Sequence, residues 1–174
     1  LLDALYAVSG ALAACAVLAI FAVMLGAALL RVAGGQTGGT DDIVSWLTAA
    51  AAFFGLAHTF KHGDFVRVEL LLARLSPPVR RWLELWCLGV AAVFVGYLCV
   101  SVIRYVHESW QFNDMGTGLI ALPLWIPQSS FAVGSVLLFI ALVDEFVIVL
   151  RGGVPTYVRL AQERLDRGDF SETL

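Results

Sequence analysis

The sequence predicts an all-α membrane protein with four transmembrane helices, an in-plane amphipathic helix between spans 2 and 3, and both termini in the cytoplasm. Of its 174 residues, 60% are hydrophobic and 14% are charged, and the mean hydropathy is +0.85. Soluble domains are only about 45 to 50% apolar. The apolar residues form long charge-free runs, each near or above the ~20 residues that cross a bilayer. These runs do not alternate as the strands of a membrane β-barrel do, so helices are the predicted spanning structure.

The span boundaries follow from the charges and prolines that border the apolar runs. The first run is too long for the core of a signal peptide and has no charged leader or cleavage site before it, so a retained span is expected. The last run contains Pro123 and Pro127, which fit the first turn of a helix, so Leu119 to Pro123 is predicted to be a loop. The predicted transmembrane domain covers residues 1–154, with spans at about 4–31, 43–61, 82–104 and 124–150.

Lysine and arginine residues are distributed unequally between the two sides of the membrane. Nine lie in the second connection and the C-terminal tail, and only Arg31 and Arg104 lie on the other side. The positive-inside rule therefore places both termini in the cytoplasm. The tail, 155–174, is interpreted as a short cytoplasmic surface helix without a chemical role.

The tryptophans fall near the predicted span ends, where amphipathic rings are favoured; they are Trp46, Trp82, Trp86, Trp110 and Trp125.

Residues 64–76, in the second connection, have the pattern of an amphipathic helix. Phe65, Val68, Leu72 and Leu75 recur at helical spacing, and arginines lie elsewhere on its surface. Such a helix is expected to lie in the interface plane beside anionic headgroups. The alternating segment that begins at Val66 also allows a strand, but a lone strand would leave its backbone without partners. The candidate lipid anchors are Arg67, Arg74, Arg80, Arg81 and Trp82.

Acidic residues lie near the ends of the second and fourth spans. Asp41 and Asp42 follow a glycine-rich connection and are expected to favour the positive end of a helix dipole. Asp144 and Glu145 lie toward the cytoplasmic quarter of the fourth span. They are expected to pair with Lys61, Arg80 or Arg81, and the alternative is a contact with a partner subunit.

No catalytic, cofactor or metal site is predicted. His58 and His62 have a spacing that can bind metal, but bonds to backbone or lipid are the favoured interpretation. Haem held between facing histidines is disfavoured, because His107 lies at the opposite end of the membrane from the other two. The net charge of −3, without a basic patch, gives no reason to expect nucleic acid. Cysteines inside apolar spans, as here, behave as small hydrophobes; they are Cys15, Cys87 and Cys99.

Small residues four positions apart occur in the first two spans and predict close helix packing. The pairs are Gly10 with Ala14, Ala22 with Gly26, and Ala51 with Gly55. The small-residue pairs allow helices to pack closely, and no reactive centre is predicted. We therefore expect the chain to act through association with a partner.

Two segments carry a resemblance to a known family. The first is DDIVSWLTAAAAFFGLAHTFKHGDFVRVELL, which starts at Asp41, and the second is ALPLWIPQSSFAVGSVLL, which starts at Ala121. Together they resemble the small membrane subunit, DctQ-like, of tripartite ATP-independent periplasmic (TRAP) transporters. The motif positions are Asp41 or Asp42, Trp46, Gly55, Gly63, Val66, Arg67, Val68, Glu69, Pro123, Trp125, Pro127 and Gly134. Phe65 departs from the pattern, because a histidine is expected there.

The resemblance implies a role in the inner membrane of a bacterium, as a non-enzymatic subunit without a cofactor of its own. It implies a large membrane subunit that carries the substrate and sodium sites and moves like an elevator. A periplasmic binding protein would deliver a small organic anion, often a carboxylate or sialic acid, and the small subunit would brace the scaffold. The outer connections, near Asp41, Asp42 and 110–114, are expected to help seat the binding protein.

Two other functional classes remain as alternatives at this stage. A membrane-anchor subunit of a respiratory oxidoreductase would need cofactor ligands, which the three histidines do not supply as a facing pair. A stand-alone exporter would need an ionisable residue near the middle of the membrane, and all four predicted spans lack one at their centres.

Overall fold

A computed structural model describes residues 2–62, 76–153, 155–156 and 158–159 of the chain. Helices in these residues are α1 (Leu2–Val32), α2 (Thr40–His62), α3 (Pro77–Gln111) and α4 (Trp125–Leu150). All four are long and apolar enough to cross a membrane, as predicted. Within the described ranges, β structure is limited to an isolated antiparallel bridge between Met115 and Pro123.

Three helices agree closely with the predicted spans, whereas α3 is longer than predicted. It begins at Pro77 and ends at Gln111, so it extends beyond 82–104 in both directions. Pro77 and Pro78 occupy its first positions, where a missing N–H leaves no hydrogen bond unmade. The charge-free run marks only the part of a helix that lies in hydrocarbon. At ~1.5 Å per residue, α3 is about 52 Å long and exceeds the ~30 Å hydrocarbon core.

The predicted in-plane helix lies almost entirely outside the described residues. Its last residue, Ser76, is described and has an extended backbone with ψ of 146° just before α3. The predicted C-terminal tail is described only at 155–156 and 158–159. There Val158 and Arg159 donate backbone hydrogen bonds to Pro155, which forms a helical turn.

The helices pack in a row in the order α1, α2, α4, α3. The extensive contacts join α1 with α2, α2 with α4, and α4 with α3. Phe53 lies against Gly134 and Lys61 lies against Asp144, so α2 and α4 run in the same direction. One end of the row, the Lys61 end, contains the start of α1 and the end of α4. The opposite end, the Asp42 end, contains the start of α2.

A close approach between helices occurs where Gly134 of α4 faces the backbone of α2. A Cβ atom at Gly134 would lie 2.7 Å from the carbonyl carbon and oxygen of Phe53, so only glycine fits there. The rings of Phe53 and Phe131 stack beside it, with centroids 5.2 Å apart. This contact joins the two central helices.

The glycines of the three small-residue pairs differ in whether they contact a neighbouring helix. A Cβ at Gly10 would lie 2.7 Å from His58 Nδ1, and one at Gly55 would lie 3.8 Å from Ala13 Cβ, so both glycines belong to the α1 and α2 contact. A Cβ at Gly26 would have no heavy atom within 4 Å. Gly26 therefore makes no close helix contact among the described residues, and close packing through the pair of Ala22 with Gly26 stays a prediction.

Candidate functional site

A buried charge cluster lies at the Lys61 end of the row. Lys61 Nζ is 2.8 Å from Asp144 Oδ2 and 3.3 Å from Glu145 Oε1. Lys61 is 7% exposed and Glu145 is fully buried. The pairing of both acids with Lys61 confirms one of the partners predicted for them.

The same cluster connects three helices to the start of the C-terminal tail. The ring of Tyr6 in α1 lies 5.4 Å from Lys61 Nζ, within the range of a cation–π contact. The second carboxylate oxygen of Glu145 accepts a hydrogen bond of 3.0 Å from the backbone N–H of Thr156. Lys61 Nζ also donates to Thr156 Oγ1 at 3.5 Å. The two carboxylate oxygens of Glu145 thus bond to Lys61 and to Thr156. Such contacts offset the desolvation cost of a buried carboxylate.

The predicted lipid anchors on α3 take different partners. Arg80 Nε donates to Glu84 Oε1 at 3.0 Å, one helical turn away. Arg81 Nη2 donates to the carbonyl oxygen of Leu150 at 3.0 Å and so joins the start of α3 to the end of α4. Trp82 is 67% exposed. Arg67 and Arg74 lie outside the described residues, and a lipid role for the whole set stays a prediction.

At the opposite end of the row, Asp42 bonds to the connection between α3 and α4. Its Oδ2 accepts hydrogen bonds from the backbone N–H groups of Leu119, at 3.0 Å, and Ile120, at 3.4 Å. The carboxylate sits so close to Gly118 that a Cβ there would overlap it. Asp41, its neighbour, is exposed. The sequence indicated a helix-dipole role for both acids, and the structure adds a specific contact for Asp42 with the connection between α3 and α4.

The motif residues of the fourth span form the start of α4. Pro123 pairs with Met115 in the isolated bridge, Trp125 is the first residue of α4, and Pro127 lies in its first turn. Gly134 makes the close contact with Phe53 described above, which gives this motif glycine a physical role. Trp46 is half-buried on α2. Val66, Val68 and Glu69 lie outside the described residues.

His58 and His107 lie toward opposite ends of the row. His58 Nδ1 is 3.1 Å from the carbonyl oxygen of Tyr6, at the Lys61 end. His107 Nε2 is 3.0 Å from Gln111 Nε2, near the far end of α3. Among the described residues, no group of three or more histidine, cysteine, aspartate or glutamate side chains is placed to hold a metal ion.

Two buried polar side chains were not predicted from the sequence. Ser9 Oγ donates to the carbonyl oxygen of Phe54 at 2.5 Å and joins α1 to α2. Gln128 is 6% exposed in the first turns of α4, and its Oε1 has no hydrogen-bond partner in the described structure. An amide in an apolar segment is a visible sequence signal, although its burial depends on distant residues.

Comparison with known proteins gives a family match and one similar relative. Residues 16–152 match the sequence model of the family described as tripartite ATP-independent periplasmic transporters, DctQ component. The chain is also 30% identical over 87 residues to the C4-dicarboxylate TRAP transporter small permease protein DctQ of Rhodobacter capsulatus. That match covers 50% of this chain and 38% of the relative's length. The family match extends over most of the chain and includes α2, α3 and α4 entirely, so the chain belongs to the DctQ family of TRAP transporter small permease components.

Proposed function

We propose that this chain is the small permease subunit of a TRAP transporter that braces the scaffold of a large membrane subunit in the bacterial inner membrane. The large subunit would perform sodium-coupled uptake of a small organic anion delivered by a periplasmic binding protein. The observation that carries the proposal is the DctQ family match across 16–152, together with four helices able to span a membrane.

The row of helices supports a bracing role because its outer helices are apolar and exposed. On α1, Leu18 is 67% exposed and Phe21 is 65% exposed. On α3, Tyr97 is 75% exposed and Tyr105 is 57% exposed. A helix that packs on one neighbour keeps a free face for lipid or for another membrane protein. The row thus has apolar faces on which a large subunit can pack.

The centre of the row supports the same role through its inter-helix contacts. Gly134 brings α4 against the backbone of Phe53, and the buried ion pairs of Lys61 hold the same two helices at their other end. Packed interiors deform little, since side chains interdigitate at crystal-like density. A scaffold beside a moving subunit needs this resistance to deformation.

The Asp42 end is proposed to face the periplasm and to help seat the binding protein. Asp42 accepts hydrogen bonds from Leu119 and Ile120 in the connection between α3 and α4, so this connection presents an ordered surface. Site-specific photo-crosslinkers at Asp41 and Trp110, which are both exposed, should give adducts with the binding protein. Adducts confined to the large subunit would contradict this part of the proposal.

The first experiment is a mild-detergent pull-down of the tagged chain from its native membranes, with mass spectrometry of its partners and an absorption spectrum of the eluate. A large polytopic partner without a Soret band is the expected result. A haem band, or soluble redox subunits in the eluate, would overturn the proposal in favour of an oxidoreductase anchor.

Transport is tested by reconstituting the large subunit and binding protein with and without this chain. C4-dicarboxylates, named for the relative, are the first substrates to supply to the vesicles. Sodium-dependent uptake that requires this chain is expected. Uptake of equal rate without the chain would contradict a bracing role.

A further inference from the structure

An apolar groove runs along the surface between α3 and α4 from the Lys61 end. It has a volume of about 550 Å³ and is lined by aromatic and aliphatic side chains. Trp82, Trp86 and Val93 form its α3 wall, and Phe146 and Leu150 form its α4 wall. An adjoining hollow of about 460 Å³ shares Val93 and Phe146 with it and continues toward the middle of α3.

Two glycines of α3 line these hollows: Gly89 lines both, and Gly96 lines the second. A Cβ at Gly89 would lie 3.5 Å from the ring of Phe146, and one at Gly96 would lie 3.1 Å from the ring of Phe139. The two glycines are seven residues apart, as are the two phenylalanines, so each ring lies over one glycine. The missing side chains let the two phenyl rings lie close to the backbone of α3, where the rings line the groove and the adjoining hollow.

The length of the groove matches one leaflet of a bilayer. Trp82 and Phe94 line it 12 residues apart, which is about 18 Å along a helix axis. One leaflet contributes about half of the ~30 Å hydrocarbon thickness. An extended acyl chain of that leaflet therefore fits along the groove from its mouth inward.

The mouth of the groove carries a cation, Arg81, that makes one hydrogen bond to the described residues. Arg81 directly precedes Trp82, and its Nη2 donates to the carbonyl oxygen of Leu150, another lining residue. A guanidinium has five N–H donors, and this bond uses one. Within the described residues, no carboxylate lies at ion-pair distance from Arg81, whereas Arg80 is paired with Glu84. Arginine binds phosphate oxygens through two parallel hydrogen bonds.

We propose that the groove between α3 and α4 binds one acyl chain of an anionic phospholipid, with Arg81 holding the headgroup phosphate. A phospholipid supplies both a flexible apolar chain for the groove and an anion for Arg81. The lipid bridges the start of α3 and the end of α4. The proposal requires that the chain spans a membrane, and it does not require the small permease role.

Native mass spectrometry of the purified full chain tests the site, with phosphatidylglycerol or phosphatidylcholine of the same acyl chains added after delipidation. One retained phosphatidylglycerol, preferred over phosphatidylcholine, is expected. Arg81→Gln should lower that retention about fivefold, which is about 1 kcal/mol, the contribution of one arginine near an anionic surface. Equal retention of the two lipids would overturn the preference for an anionic phospholipid, and unchanged retention in Arg81→Gln would overturn the role of Arg81.

A second variant tests the groove itself. Val93 is 73% exposed, so Val93→Trp should fill the groove without disturbing the packing of the helices and should abolish retention. The matched controls are Val100→Trp, seven residues along the same helix, and Arg104→Gln, near its other end. Loss of lipid in the controls equal to that in Val93→Trp and Arg81→Gln would mean nonspecific annular lipid and would overturn the proposal.

A photo-crosslinking amino acid at position 93 tests the occupant in native membranes. A phospholipid adduct is the expected product. A polypeptide adduct would mean that a protein covers the groove, and it would overturn the proposal. The pull-down of the large subunit is read separately, so failure of the lipid site and failure of the small permease role give different results.

Discussion

Lys61 is a cation buried among two carboxylates and a tyrosine ring, far from the charge-free centres of the spans. Removing one partner of a buried ion pair leaves the other charge without compensation, whereas replacing both by apolar groups is often neutral. Glu145 has no exposed surface, so it is the group most affected by loss of the lysine. The stability of this end of the row therefore depends on charge balance more than on any single residue.

Replacing Lys61 by methionine is expected to lower the free energy of unfolding by about 3 to 5 kcal/mol. Adding Glu145→Gln should recover part of that loss, because the amide keeps the volume and the acceptor for Thr156 N–H but removes the buried charge. Denaturant titration in mixed micelles measures both variants. Arg104→Met, an exposed site on α3, is the matched control and should change stability little. Additive losses in the double variant would contradict the coupling.

Gly134 is tested by adding a single methyl group. Gly134→Ala should destabilise the protein by about 1 to 3 kcal/mol through overpacking, because the new Cβ would lie 2.7 Å from the backbone of Phe53. Gly26→Ala is the control. It has no neighbour within 4 Å, and alanine is favoured over glycine within a helix, so it should be neutral or slightly stabilising. Equal effects in the same unfolding assay would show that the close approach is not required.

At the scale of elements, Asp42 ties the start of α2 to the connection that precedes α4. Asp42→Ala removes the acceptor of two backbone N–H groups. Amide hydrogen exchange at Leu119 and Ile120 should then accelerate about fivefold, since a hydrogen bond contributes about 1 kcal/mol. Asp41→Ala is the control, because Asp41 is exposed and makes no bond to these amides. Unchanged exchange in the Asp42 variant would contradict the contact.

The predicted in-plane helix is tested through its arginines. Each arginine near an anionic surface contributes about 1 kcal/mol, so Arg67→Ala with Arg74→Ala should weaken assembly with the large subunit in vesicles containing anionic lipid. Neutral phosphatidylcholine vesicles are the control, in which the substitutions should have no effect. Co-purification yield from each vesicle type measures assembly. Wild-type assembly and transport in the anionic vesicles would contradict an anchoring role.

At the scale of the whole molecule, the charge distribution predicts the orientation of the row. Gln36 and Ser76 are exposed and lie in opposite connections, so single cysteines at these positions report the two sides. In a chain whose native cysteines are replaced by alanine, a membrane-impermeant maleimide should label Gln36→Cys in intact cells. It should label Ser76→Cys only after permeabilisation. The reverse pattern would contradict cytoplasmic termini.

Much of the architecture could be predicted from sequence, because hydropathy and charge report where a segment leaves the membrane. Pro123 and Pro127 indicated the start of α4, and the structure places that start at Trp125. The full length of α3 could not be predicted from the charge-free run, because its end turns carry charged residues that look like connections. Part of the candidate site was also predictable, since Lys61 was named as a partner of Asp144 and Glu145.

The sequence by itself determined the class of the protein, its four spans, the expected orientation and the family motifs. These properties depend on the transfer free energies and backbone preferences of local segments. Tertiary structure alone decided the helix order, the contact of Gly134 with Phe53, the hydrogen bonds of Asp42 to the connection before α4, and the groove between α3 and α4. Those features depend on side chains far apart in sequence. Asp42 and Leu119, for example, are separated by 77 positions, and local hydropathy carries no information about such a contact.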